Sequence, residues 1–183
     1  GSVLQGAGEI TGLNGSSTFV CATCELTFTF GGLVFDNDLT DGSVFDLGAS
    51  ATSGFFNIYY DSTADFDPAT VSSQADIDNT GDGSLWLSLS LDTLKEGVGF
   101  TPQIGSIDSF WSVTGGAADG HFDTDTLLGG ADLRFSASGD FQQGPIATST
   151  GQASGQSIPE PTSIAIFGLG LLGLAGAARR KKA

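Results

Sequence analysis

An uncharged run of 17 residues, 162–178, restricts what this chain can form more than any other feature. As an α-helix this run would be about 25 Å long, which is enough to cross the hydrocarbon core of a bilayer. Four cations follow it directly: Arg179, Arg180, Lys181 and Lys182. Because Lys and Arg collect on the cytoplasmic side of a membrane helix, this basic cluster predicts that residues 1–158 lie outside the cytoplasmic membrane.

A short motif, Pro159, Glu160 and Pro161, directly precedes the uncharged run. The triplet, the span rich in Gly and Leu and the terminal basic cluster together resemble the bacterial PEP-CTERM sorting signal. That resemblance implies that a membrane protease of the exosortase type recognises the tail and removes the span. The alternative is an ordinary single-pass anchor. An anchor would gain nothing from two prolines, however, whereas prolines keep a segment extended and open to a processing enzyme.

The charge of the chain is unevenly distributed. Residues 1–158 contain 20 of the 21 acidic residues but only two of the six basic ones, Lys95 and Arg134, which gives a net charge of −18 (2 − 20). A domain of this charge would repel nucleic acid, which binds proteins through cationic side chains, so we exclude nucleic acid as a partner. The acidic surface is either simply solvated or acts through divalent cations.

Alternation of apolar and polar residues predicts an all-β domain. Leu26, Phe28 and Phe30 alternate with polar neighbours, as expected for a strand with one buried face. Gly31 and Gly32 then predict a two-residue hairpin turn. Further strand patterns occur at 45–47, 55–60, 85–91, 107–113 and 131–137, separated by turns rich in Gly and Asp. We therefore expect a single antiparallel β-sandwich or jelly-roll-like domain.

These features divide the chain into three parts. The predicted β-sandwich domain covers residues 1–141 and is followed by a flexible linker over 142–158, which contains few large apolar residues. Residues 159–183 form the sorting signal, with the transmembrane helix at 162–178 and the basic tail at 179–183. Because the predicted topology requires export, we expect that a secretory signal peptide has been removed ahead of residue 1.

The two cysteines, Cys21 and Cys24, are three positions apart. They can form a disulfide only if the four residues that they bound make a turn, because an extended strand would point them to opposite faces. A structural disulfide at a hairpin tip is the prediction for an exported protein. A zinc site would need more soft ligands, and a redox dithiol would need a thioredoxin-like helix start.

An Asp-rich turn suggests a calcium site. Asp78, Thr80 and Asp82 occupy alternate positions and are followed by Gly83, as in calcium-binding loops. Leu89 stands where such a loop has a bidentate acid, so other ligands would be required. The upstream residues Asp61, Asp65 and Asp67 would supply them if the long connection folds back. The simpler interpretation is that Asp and Asn serve here as turn formers.

The histidine His121 lies in another Asp-rich stretch, with Asp123 and Asp125 nearby. Loop polarity explains this residue, although it would also suit a metal ligand or a general base. Residues 122–125 and 129–135 are similar to the C-terminal half of flocculation-associated PEP-CTERM surface proteins. This similarity implies a role in holding cells together through an exopolysaccharide matrix.

The sequence thus predicts an exported, non-catalytic surface or matrix protein with a structural or adhesive role in biofilm or floc. Its predicted partners are an exosortase-type protease, the membrane before processing, and exopolysaccharide or a neighbouring cell surface. Calcium is the candidate cofactor. The alternative is a secreted carbohydrate-binding or carbohydrate-active β-sandwich protein, in which Trp86, Trp111, Tyr59 or Tyr60 would stack on sugars rather than pack in the core.

Overall fold

The structure is a computed structural model that describes residues 3–14, 16, 23–34, 53–71, 73–96, 104–140 and 148–158. Its seven strands form one antiparallel sheet in which each strand pairs with the next along the chain. They are β1 (Val3–Glu9), β2 (Glu25–Val34), β3 (Phe55–Asp61), β4 (Ser84–Glu96), β5 (Ile104–Gly115), β6 (Leu133–Asp140) and β7 (Thr148–Gly155). Two short helices, α1 (Gln74–Asn79) and α2 (Asp119–Phe122), and a 3₁₀ turn (Leu128–Gly130) lie in the connections after β3 and β5.

Aromatic rings meet across one face of the sheet and show that it curls. The ring of Phe56 on β3 lies 4.6 Å from that of Phe135 on β6 and 6.0 Å from that of Trp111 on β5. In a flat sheet β3 and β6 would be about 14 Å apart, because neighbouring strands are spaced about 4.8 Å. The rings of Phe28 and Phe30 on β2 complete the cluster from the other side. The sheet is therefore bent like half a barrel, with these rings on its concave face.

The strand patterns in the sequence are largely confirmed. Alternation at 26–30, 55–60, 85–91 and 107–113 corresponds to β2, β3, β4 and β5, and the pattern at 131–137 overlaps β6, which begins at Leu133. Their apolar positions supply most of the buried core, including Leu26, Ile58, Leu87, Leu89 and Trp111. The strand predicted at 45–47 lies outside the described residues.

The hairpin predicted at Gly31 and Gly32 is wrong, because β2 continues through both residues. Leu4 pairs with Leu33 and Gly6 with Phe30, so two glycines on β2 face the single residue between Leu4 and Gly6. This arrangement is a β-bulge. Gly32 has a φ of +78°, and an added Cβ would lie 2.8 Å from the carbonyl oxygen of Ser53, so glycine suits the bulge as well as it would suit a turn.

The predicted fold class is confirmed at the level of an antiparallel all-β domain. The described strands form a single curled sheet rather than the two packed sheets of a sandwich. The reason is that all six pairings join consecutive strands, so the described strands show no crossover of the kind that builds a jelly roll.

Residues 148–155, which the sequence assigns to a flexible linker, form strand β7 on the edge of the sheet. The low apolar content did not reveal this strand, because an edge strand can be held by backbone hydrogen bonds to one neighbouring strand alone. Residues 159–183, with the transmembrane helix predicted at 162–178, lie outside the described residues. Among the residues that are described, no helix is long and apolar enough to span a membrane.

Strand direction places several connections at one end of the sheet. Glu9, Glu25, Asp61, Gly115 and Gly155 all lie at or near the ends of strands that meet there. The connections 62–83 and 116–132 extend from this end, as does the segment 156–158. We call it the α2 end, because α2 lies on it.

Candidate functional site

The connection between β3 and β4 folds back over the start of β2. The backbone N–H of Ala64 donates to the Thr23 carbonyl oxygen, at 2.8 Å. Further along, the Thr27 hydroxyl donates to the carbonyl oxygen of Thr80, also at 2.8 Å. Between these contacts, α1 begins with a capping box in which Ser73 and Asp76 satisfy each other's backbone N–H groups. The connection is thus tied to the sheet at both ends.

Folding back brings three carboxylates together at the α2 end. One oxygen from each of Asp61, Asp65 and Asp82 lies within 4.8 Å of the other two. Asp61 comes from the end of β3, Asp65 from the returning connection, and Asp82 from the turn that leads into β4. Carboxylate oxygens in such a group are the ligands that Ca²⁺ prefers. This is the arrangement that the sequence required of Asp61 and Asp65 if they were to join Asp82.

A cavity of about 200 Å³ is lined by two of these carboxylates, Asp65 and Asp82. Glu25 and Thr27 of β2 form its floor, while Asp65, Asp67, Asp76 and Asp82 contribute acidic side chains to its walls. The Glu25 carboxylate is 5% exposed and accepts the backbone N–H of Phe66 at 3.1 Å and 3.2 Å. Burial raises the pKa of Glu25, and these backbone hydrogen bonds offset only part of that rise.

Asp82 is the carboxylate most affected by its neighbours in this group. Desolvation is the largest cause of the raised pKa of Asp82, although the residue is exposed overall. The negative charges of Asp61 and Asp65 raise this pKa further. A carboxyl with a raised pKa destabilises the folded state once it ionises. Its contribution to stability is therefore present below its ordinary pKa and lost as the pH rises. A bound divalent cation would reverse this effect by neutralising the like charges.

Of the predicted ligands Asp78, Thr80 and Asp82, the first two make hydrogen bonds within the segment 74–80. Asp78 belongs to α1, and its Oδ1 accepts a hydrogen bond from Gln74 at 2.7 Å. Thr80 is buried, and its hydroxyl donates to the carbonyl oxygen of Asp76. The residues fit a helix and its C-cap because the capping box starts a helical turn where the sequence suggested a calcium loop. Of the three, Asp82 alone joins the carboxylate group.

A second carboxylate group at the α2 end has a different character. Asp123 and Asp125 approach Asp132, whose side chain is only 1% exposed. Its Oδ2 accepts the backbone N–H of Val113, and its Oδ1 accepts those of Thr124 and Asp125. Burial alone would raise the pKa of Asp132, but these backbone donors lower it overall. Asp132 therefore ties the connection after α2 to β5.

The remaining predicted site residues are placed as follows. His121 is exposed on α2, and its carbonyl oxygen accepts the backbone N–H of Ile158 at 2.7 Å. Cys24 is buried and is not a free thiol. Cys21 lies outside the described residues, so the Cys21–Cys24 disulfide stays a prediction. The Pro159–Glu160–Pro161 triplet and the basic cluster at 179–182 also lie outside them.

The sequence did not reveal two buried carboxylates at the α2 end, those of Glu25 and Asp132. Glu25 occupies an ordinary polar position of an alternating strand, and only the returning connection buries it. A buried Asp132 has no signal in the sequence, because its donors come from segments 7 to 19 residues away.

Calcium binding at Asp61, Asp65 and Asp82 stays a hypothesis with a direct test. At 10 mM calcium, a site with the millimolar to submillimolar affinity of extracellular modules would stabilise the full chain in detergent by about 1.5–3 kcal/mol. The melting temperature should rise by several degrees and return to its starting value with chelator.

Two matched variants locate this effect. Asp65→Asn should remove most of the calcium shift, whereas Asp78→Asn should keep it, because Asp78 lies outside the carboxylate group. The opposite ranking would favour the loop that the sequence predicts. An unchanged melting temperature of the parent chain in calcium would contradict calcium binding.

Asp132→Asn should destabilise the fold by about 1–3 kcal/mol, because the amide nitrogen of Asn would face a backbone N–H. Since the pKa of Asp132 is lowered, its contribution is present above the ordinary value of 3.8 and is lost as the pH falls below that value. The difference in unfolding free energy between parent and Asp132→Asn, measured by urea unfolding, should therefore become smaller from pH 6 to pH 3. Asp123→Asn, at an exposed carboxylate, should cost less than about 0.5 kcal/mol. A gap that does not change with pH would contradict this role.

Comparison with known protein families identifies the C-terminal tail of the chain. A family model for the PEP-CTERM protein-sorting motif matches residues 157–181. A comparison with curated proteins gives no match, and neither does one with solved structures. The match covers the triplet, the uncharged run and most of the basic cluster, and it supports exosortase-dependent export and sorting to the cell surface. The chain is accordingly a protein that carries a PEP-CTERM sorting signal.

Proposed function

We propose that this chain is an exported, non-catalytic surface or matrix protein with a structural or adhesive role in biofilm or floc. The observation that carries the proposal is the sorting motif at 157–181. The motif accounts for a route to the cell surface, and the curled domain ahead of it is then the part that acts outside. An exosortase-type membrane protease is its processing partner, and the membrane holds the chain through residues 162–178 until processing.

Charge favours certain partners for the exported part. With a net charge of −18 over residues 1–158, the domain would approach acidic polysaccharide or another acidic cell surface only if cations lie between them. Carboxylates at the α2 end, including Asp61, Asp65 and Asp82, are where such cations would collect. The proposed partners are therefore exopolysaccharide or a neighbouring cell surface, contacted through divalent cations.

A non-catalytic role agrees with how the polar groups are used. Asp132, the most buried carboxylate of the described residues, accepts backbone N–H groups at both of its oxygens. His121 is exposed on a four-residue helix, and we take it to serve the polarity of this connection rather than as a general base.

The carbohydrate-active alternative has less support. Trp111 is 3% exposed and donates its Nε1–H to Ser109 inside the core. Trp86 packs edge-on against Phe122 of α2, with ring centroids 5.4 Å apart. Both tryptophans thus pack within the domain, and of the aromatic residues considered for sugar stacking only Tyr60 is largely exposed.

A deletion strain tests the proposed role. Cells that lack this protein should aggregate less than the parent, and the full chain should restore aggregation. A chain without residues 159–183, fused to a secretory signal peptide for export, should restore little of it, because the protein would not be sorted to the surface. Normal aggregation in the deletion strain would contradict the adhesive role. Full rescue by the truncated chain would separate adhesion from sorting.

A further inference from the structure

The sorting motif begins inside the folded domain. The family model matches from residue 157, so Ser157 and Ile158 belong both to the motif and to the described structure. Ahead of them β7 pairs with β6 along its whole length, from Thr148 opposite Asp140 to Gly155 opposite Leu133, without a register shift. Three residues later, the N–H of Ile158 donates to the carbonyl oxygen of His121. The domain therefore holds the chain up to the residue before the Pro-Glu-Pro triplet.

Glycine positions show that β7 lies very close to β6. A Cβ added at Gly155 would lie 2.4 Å from Cδ2 of Leu133 and 2.8 Å from the carbonyl oxygen of Asp132. At Gly151 it would lie 3.1 Å from Cβ of Ala137. A larger residue at either position would push the strands apart. The composition of this stretch thus suits a docked strand as well as the flexible linker that it suggested from the sequence.

We propose that β7 and the hydrogen bond from Ile158 to His121 attach the sorting signal to the domain without a stalk, so that the α2 end lies against the membrane surface while the chain is anchored. This inference rests on the membrane-anchored form of the proposed function. Three residues, 159–161, separate Ile158 from Thr162, where the uncharged run begins, and the four Cα–Cα steps between Ile158 and Thr162 span about 14 Å at most. A free linker from residue 142 would reach about 70 Å.

The negative charge of the α2 end determines how the domain interacts with the nearby membrane surface. Asp119, Asp123 and Asp125 are exposed there, in addition to the carboxylates of the cavity. Lipid phosphates are also negative, so this surface gains little by contacting the headgroups and the anchor alone keeps it there. Once the anchor is removed, like-charge repulsion favours departure of the domain from the membrane. The geometry thus suits a domain that is held close before processing and released afterwards.

Photo-crosslinking in lipid vesicles tests this arrangement without any processing enzyme. The full chain is reconstituted in phosphatidylcholine vesicles, with a benzophenone side chain placed at Asp119 on α2 or at Ser53, which lies beside the start of β3 at the opposite end of the sheet. Both positions are exposed. Lipid adducts should form at least fivefold more often at position 119 than at position 53. Equal yields at the two positions, or no adduct at either, would overturn the proposal.

Two insertions of the same six Gly and Ser residues distinguish a docked strand from a free linker. Placed between Ile158 and Pro159, the insertion lengthens the reach beyond the last contact and should reduce the adducts at position 119 several-fold. Placed between Gly144 and Pro145, ahead of β7, it should leave them unchanged, because β7 still docks in register. Equal effects of the two insertions would show a free linker. Unchanged thermal unfolding of both variants confirms that the domain remains folded.

This experiment is independent of adhesion and of sorting in cells. If the deletion strain aggregates less but lipid adducts show no preference for position 119, the proposed function stands and the attachment is overturned. Hydrogen exchange of the full chain in detergent adds a second readout. Amides of residues 148–155 that pair with β6, and the amide of Ile158, should exchange at least tenfold more slowly than in the urea-unfolded chain. Exchange at the unfolded rate would also overturn the attachment.

Discussion

Contacts among aromatic rings on the concave face determine the shape of this domain. Phe56 touches Phe28 on one side and Phe135 on the other, across strands that a flat sheet would hold well apart. Burial of these rings supplies the hydrophobic driving force for bending the sheet, and Trp111 packs edge-on against two of them. One layer of strands thereby encloses a core that a flat sheet would leave open to water.

The up-and-down order of the strands has a consequence for function. Every second connection returns to the same end of the sheet, so the connections that follow β1, β3 and β5 all begin and end at the α2 end. Two of them bring carboxylate groups there, around Asp82 and around Asp132. The chain also leaves the domain from this end, next to α2, on its way to the sorting signal. Charge and exit point therefore coincide because of topology rather than because of sequence proximity.

Features of the fold and of the tail that depend on a local pattern of residues could be predicted from the sequence. Strand period identified β2 to β6, and the order of triplet, span and cations identified the sorting signal that the family comparison confirms. What failed depended on partners that are distant in the chain. A glycine pair has the same local appearance in a turn and in a bulge, and it is the pairing of β1 that makes Gly31 and Gly32 a bulge.

The same limit applies to the candidate site and to β7. The sequence indicated that Asp61 and Asp65 would reach Asp82 only if the connection returned, and the contacts of Ala64 and Thr27 that return it have no local signature. β7 has no apolar face to reveal it, because backbone groups of β6 hold it. Residues of low hydrophobicity are read as linker unless their pairing partner is known.

Sorting through the C-terminal signal is the central claim, and the intact mass of the protein released from cells tests it most directly. We expect a released species that lacks the uncharged run and the basic cluster at 179–182, alongside a full-length species in the membrane fraction. A full-length C-terminus in every fraction would contradict processing and leave a plain membrane anchor.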